Sequence, residues 1–149
     1  MRISTKQPGF TLIEVLIVVL IMSVLAAVIL PQFMQSTVDA KASSLKFNLH
    51  TLRAQLELYR NHHEGKMPSA TLVELTKKTD ANGTVGVGVG FNFGPYMDKV
   101  PANAFTGSST VTSISSSPAT VADVTSSGGW LYNATTGEIW ADHEDHVSE

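Results

Sequence analysis

The 149-residue chain contains no cysteine, so disulfides and thiolate metal sites are both excluded. It is poor in aromatics, at 7%, and it has no basic patch interleaved with them, so it lacks the electrostatic footprint of a nucleic-acid-binding protein. Bases are outnumbered: 10 Lys and Arg stand against 13 Asp and Glu, for a net charge of −3. Two of those bases, Arg2 and Lys6, lie in the first nine positions, which hold no acid. Catalytic patterns are missing too. The five histidines (His50, His62, His63, His143 and His146) fall in no nucleophile, base or metal arrangement, and the chain reads as a non-enzyme.

What is present is an uneven distribution of apolar residues. Much of the 43% hydrophobic content sits in residues 10–30, FTLIEVLIVVLIMSVLAAVIL, where only Thr11, Glu14 and Ser23 are polar. As a helix this run spans about 31 Å, the hydrocarbon thickness of a bilayer. Arg2 and Lys6 ahead of it place its N-terminal end on the cytoplasmic side and the rest of the chain outside the cytoplasm. A secretory signal peptide is the competing reading. The run is long for one, contains a carboxylate, and ends in Val28-Ile29-Leu30-Pro31 without a clear small-x-small site. A plain signal anchor is a further alternative.

Glu14 is the anomaly, because a carboxylate within an apolar span costs several kcal/mol and usually has a partner or a function. It lies one helical turn after Phe10. In a chain beginning at Phe10, the new α-amino group of a neighbouring copy would be a natural counter-ion.

The segment Gly9-Phe10-Thr11-Leu12-Ile13-Glu14-Val15 resembles the cleavage motif of type IV prepilins and type II secretion pseudopilins. The resemblance implies cutting by a prepilin peptidase between Gly9 and Phe10, N-methylation of Phe10, and an assembly contact of Glu14 with the amine of an adjacent subunit. Pro31 matches a helix-kinking proline found in many pilins. Further on, Phe93-Gly94-Pro95-Tyr96-Met97 and Val100-Pro101-Ala102-Asn103-Ala104-Phe105 resemble the GPY…P.NPF segment of major, G-type pseudopilins, with Ala104 where proline is common. Major pseudopilins of this class hold a calcium ion in a C-terminal loop. Between Lys99 and Trp130 the only acid here is Asp123, whereas calcium takes six to eight oxygens, so no ligands are assigned; no cofactor is expected, with calcium the alternative that the resemblance implies.

After Pro31 a helical stripe resumes: Val38, Ala42, Leu45, Leu49, Leu52, Leu56 and Tyr59 alternate at spacings of four and three. It fits either a coiled-coil seam or, preferably, the face of a long helix covered by a small sheet. Arg53 and Glu57 are spaced for an i, i+4 pair. The helix is expected to end near 61–65, giving about 78 Å from Phe10. His62 and His63 point about 100° apart and read as a solvated helix end rather than a metal site.

The remainder leaves about 85–90 residues for a small head. Thr71 and Glu74 fit a capping box opening a helix through about Lys78. Residues 80–83 form a turn, and the glycine alternation of 84–91 lacks the spacing of a phosphate loop, reading as a flexible loop or irregular edge strand. Short strands are predicted at 110–114 and 120–124. The clearest hairpin is 129–133 with 138–141 around Ala134-Thr135-Thr136-Gly137. Both tryptophans are expected to pack against the long helix, and the acidic tail is expected to be unstructured, its His143-Glu144-Asp145-His146 only superficially metal-like.

The predicted fold is therefore α+β: a long N-terminal helix packed against a small antiparallel sheet. The segments are a leader (1–9), a transmembrane or filament-core helix (10–30), an amphipathic half-helix (31–64), a head (65–141) and an acidic tail (142–149). The resemblance implies a structural subunit of a type II secretion pseudopilus supporting protein export, with a type IV pilus pilin as the alternative. Implied partners are further copies in a helical filament, other pseudopilins or pilins, prepilin peptidase and an inner-membrane assembly platform. A monomeric, membrane-anchored binding module is the remaining class, and it gives no reason for Glu14.

Overall fold

A computed structural model describes residues 9–149. The chain divides into two units, residues 1–39 and 40–149.

Helix α1 spans Leu12–His62 and continues through Pro31. Proline lacks an N–H, so the carbonyl of Ala27 loses its helical donor. In the first unit the helix is exposed: no residue of its most apolar 18-residue window is buried. Ser23, Ser36 and Thr37 turn their hydroxyls back to the carbonyls of Val19, Gln32 and Phe33, so these polar groups are satisfied within the helix.

In the second unit the leucine stripe meets a sheet. Leu45, Leu49, Leu52, Leu56 and Tyr59 are buried with Trp130, Tyr132, Ile139 and Ala141 in one core. Burying each such side chain contributes about 1.5–3 kcal/mol. Val38 remains exposed, so the covered stripe is shorter than the periodic one. Arg53 does not pair with Glu57. Its guanidinium donates to the carbonyls of Ile139 (3.0 Å) and Glu149 (2.7 Å), and Glu57 pairs with Arg60 instead.

The sheet has three strands in the order β1 (Val111–Ser113), β2 (Trp130–Asn133), β3 (Glu138–Ala141). β2 and β3 form the expected antiparallel hairpin, with Tyr132 opposite Ile139. β1 pairs parallel to β2, with Val111 opposite Trp130, so the sheet is mixed rather than wholly antiparallel. Period-2 alternation then separates two cores. Trp130 and Tyr132 face α1, while Leu131 and Trp140 face a second cluster with Ala119 and Val147. Trp140 thus does not pack on the helix as expected.

Other departures are local. The expected Thr71–Glu74 capping box does not form: helix α2 is only Val73–Thr76, and Glu74 accepts from Ser69. The strand expected at 120–124 is a 3-10 turn, Val121–Asp123, opened by a capping box between Thr120 and Asp123. The 84–91 segment forms no strand, and its tip exposes Val87 and Val89. His63 is buried, not solvated: its Nδ1 lies 2.8 Å from the Tyr59 carbonyl oxygen and its Nε2 lies 3.0 Å from Thr79 Oγ1. The acidic tail is ordered against the head. Val147 is buried, and Glu149 meets both Lys46 (3.1 Å) and His146 (3.2 Å).

Candidate processing and assembly site

The residues singled out for processing and assembly sit where α1 begins. Gly9 and Phe10 precede the helix, and Phe10 is 89% exposed. Arg2 and Lys6 lie outside the described residues. A side chain at Gly9 would meet nothing within 4 Å among the described residues, so the chain's own packing gives no reason for a glycine there.

Thr11 caps the helix. Its Oγ1 accepts the Glu14 amide at 3.3 Å, and Glu14 Oε2 accepts the Thr11 amide (2.7 Å) and hydroxyl (2.8 Å). This reciprocal arrangement is a capping box, satisfying helix-end amides that have no intrahelical acceptor. Glu14, expected from the sequence to need an external partner, thus also has a local one. The Thr-x-x-Glu spacing was the available signal. Both residues follow Gly9, so a cut after Gly9 leaves the box whole. Glu14 Oε1 has no hydrogen-bond partner among the described residues. One oxygen of the carboxylate therefore organises the helix start while the other is open to a donor from elsewhere.

The remaining sequence candidates do not converge. His62 Nδ1 lies 3.1 Å from the Tyr96 hydroxyl, while His63 is committed to Tyr59 and Thr79. His143 and His146 pack around Phe105. Among the described residues no three His, Asp or Glu side chains gather as a metal site.

Two head residues that the sequence did not single out organise its loops. Asn103 is fully buried, donates to the Gly129 carbonyl at 2.9 Å and accepts the Phe105 amide at 2.9 Å. Asp142 gathers the 125–128 loop: its oxygens accept the amides of Thr125 (2.7 Å), Ser126 (3.0 Å) and Gly128 (2.8 Å) and the Thr125 hydroxyl. Burial pushes the Asp142 carboxyl up, but these donors outweigh it and hold the group below the ordinary carboxylate value.

Comparison with known proteins places the exposed helix in context. A family described as the prokaryotic N-terminal methylation motif matches residues 4–30, the stretch that holds Gly9, Phe10 and Glu14. The chain is similar to type II secretion core proteins and to type IV pilins. Type II secretion system core protein G of Pseudomonas aeruginosa is 40% identical over 55 residues, which are 37% of this chain and 39% of that protein. Core protein G of Escherichia coli K12 is 29% identical over 105 residues, 69% of this chain and 70% of that protein. A type IV major pilin protein of Myxococcus xanthus is 46% identical over 55 residues, 35% of this chain and 25% of that protein. The match thus spans well under half of the first relative's length and over two thirds of the second's. No solved structure matches the chain. A helix long and apolar enough to cross a membrane, together with the methylation motif, fits a membrane-anchored pilin-like protein.

Proposed function

We propose that this chain is a structural subunit of a type II secretion pseudopilus, polymerising through α1 to support protein export across the outer membrane. The observation that carries the proposal is Glu14, the one carboxylate of the exposed apolar 10–30 segment, with one oxygen held by Thr11 and the other without a partner among the described residues. In this reading prepilin peptidase cuts after Gly9 and Phe10 is N-methylated. The Phe10 amine of an adjacent subunit then pairs with Glu14, compensating two charges that are each costly in an apolar surrounding.

Before assembly the protein is held in the inner membrane, Arg2 and Lys6 inside and the head in the periplasm. An inner-membrane platform extracts it, and its apolar 10–30 segment exchanges lipid for the same segment of other copies and of other pseudopilins. Pro31 is where α1 bends to fit its neighbours. The role is structural, without catalysis.

A type IV pilus pilin is the second reading, favoured by the similarity to the M. xanthus pilin. The similarity to E. coli core protein G supports the secretion reading more strongly, because its 105 residues must reach beyond α1 into the head.

The test is incorporation of Glu14→Leu and Glu14→Gln subunits into filaments, beside mass spectrometry of the mature N-terminus. The expected result is normal membrane insertion, lost incorporation, and a chain starting at methylated Phe10. Normal assembly of Glu14→Leu, or an intact Met1 in cells with active peptidase, overturns the proposal.

A further inference from the structure

Asp142, directly after β3, is a fully buried carboxylate with no basic side chain among its hydrogen-bond partners. Such a charge is costly to bury unless donors surround it. Here the donors are three backbone amides and one hydroxyl, all from residues 125–128. The Asp142 amide in turn donates to the Gly129 carbonyl at 3.2 Å. Ser126 adopts a left-handed conformation, φ 55°, within this turn. At Gly128 a Cβ would stand 2.7 Å from Asp142 Oδ2 and 3.1 Å from Thr112 Oγ1, so a side chain there would push the carboxylate away.

The loop needs such a fastening. Residues 114–129 form the crossover between parallel strands β1 and β2, and Ala119 is the one apolar residue of the crossover's 114–127 stretch that is buried. Its own acid, Asp123, has one oxygen engaged: Oδ2 accepts the Thr120 amide (2.8 Å) and hydroxyl (2.9 Å). A calcium ion requires a shell of oxygens whose lone pairs point at it. In this chain N–H and O–H groups point at the Asp142 oxygens and at Asp123 Oδ2. The donor set does not fit the calcium implied by resemblance to major pseudopilins.

We propose that Asp142 fastens the 114–129 crossover to β3 by direct hydrogen bonds, and that the head closes this loop without a divalent cation. The proposal is independent of whether the chain assembles into a filament.

The test uses the full chain in detergent. For the wild type, thermal midpoint and hydrogen exchange at Thr125, Ser126 and Gly128 are measured with chelator, without addition, and with millimolar calcium chloride. All three conditions are expected to agree. Asp142→Asn keeps one acceptor oxygen and presents an NH2 group toward the Gly128 amide, so exchange at Gly128 rises about tenfold or more, with smaller changes at Thr125 and Ser126. Asp142→Ala frees all three amides; if that variant fails to fold, Asp142→Asn and the wild-type cation series still decide. A higher midpoint or slower loop exchange of the wild type in calcium overturns the proposal, as does wild-type exchange at Gly128 in Asp142→Asn.

Discussion

His63, just past the end of α1, stacks on Tyr59 with ring centroids 3.9 Å apart and planes 17° from parallel, and its far nitrogen meets Thr79. Thr79 bridges to both Val85 and Phe93, so this ring ties the end of the helix to the glycine-rich segment. His63→Ala removes the stacked surface and leaves the buried Thr79 hydroxyl without its partner. A loss of about 2–4 kcal/mol is expected, read by urea unfolding of the full chain in detergent.

The leucine stripe makes a graded prediction. Leu52 is fully buried while Val38 is 47% exposed. Leu52→Ala is expected to cost about 2–5 kcal/mol, with Val38→Ala within about 0.5 kcal/mol of wild type in the same assay. Equal effects would mean that the sheet covers the stripe differently.

All three tyrosines lie in the second unit, and each resists ionisation. Burial pushes Tyr59 up to about 12, reinforced by Glu74, and raises Tyr132 and Tyr96 above the ordinary 10. A raised folded value means the neutral phenol is favoured in the fold. That contribution is complete below pH 10 and is lost as pH climbs through the folded values. Ultraviolet titration of phenolate absorbance is expected to show a midpoint above 10 in the native protein, falling toward 10 in urea.

The tail contributes through packing more than through charge. Lys46 is largely exposed, so its pair with Glu149 is worth at most about 1 kcal/mol. Val147 is 4% exposed in the cluster with Leu131 and Trp140. Val147→Asp is expected to detach residues 143–149, seen as faster limited proteolysis there, whereas Lys46→Ala leaves the cleavage rate near that of wild type.

The long helix, its stripe and the hairpin were legible because each is written in a regular period: 3.6 for Leu45 to Tyr59, two for Trp130 to Tyr132. The parallel placement of β1 was not legible, since a three-residue strand carries no signal for its partner's direction. Thr71 and Glu74 had the right spacing for a capping box, but Ser69 competes for the same carboxylate. The real boxes, at Thr11–Glu14 and Thr120–Asp123, share that spacing. Asp142 and His63 were read as solvent-facing because charge and polarity usually are. Their burial depends on hydrogen-bond partners 14 to 17 residues away in sequence.

The sheet that covers Leu45, Leu49, Leu52 and Leu56 is completed by β3, and Arg53 on the same helix reaches its carbonyl partners only at Ile139 and Glu149. A growing polypeptide therefore makes its helix long before it makes the cover. Until residues 138–149 emerge, the cover over these four leucines is incomplete. That interval is a window in which a chaperone, or a second unfinished copy, meets a sticky surface the finished protein never shows.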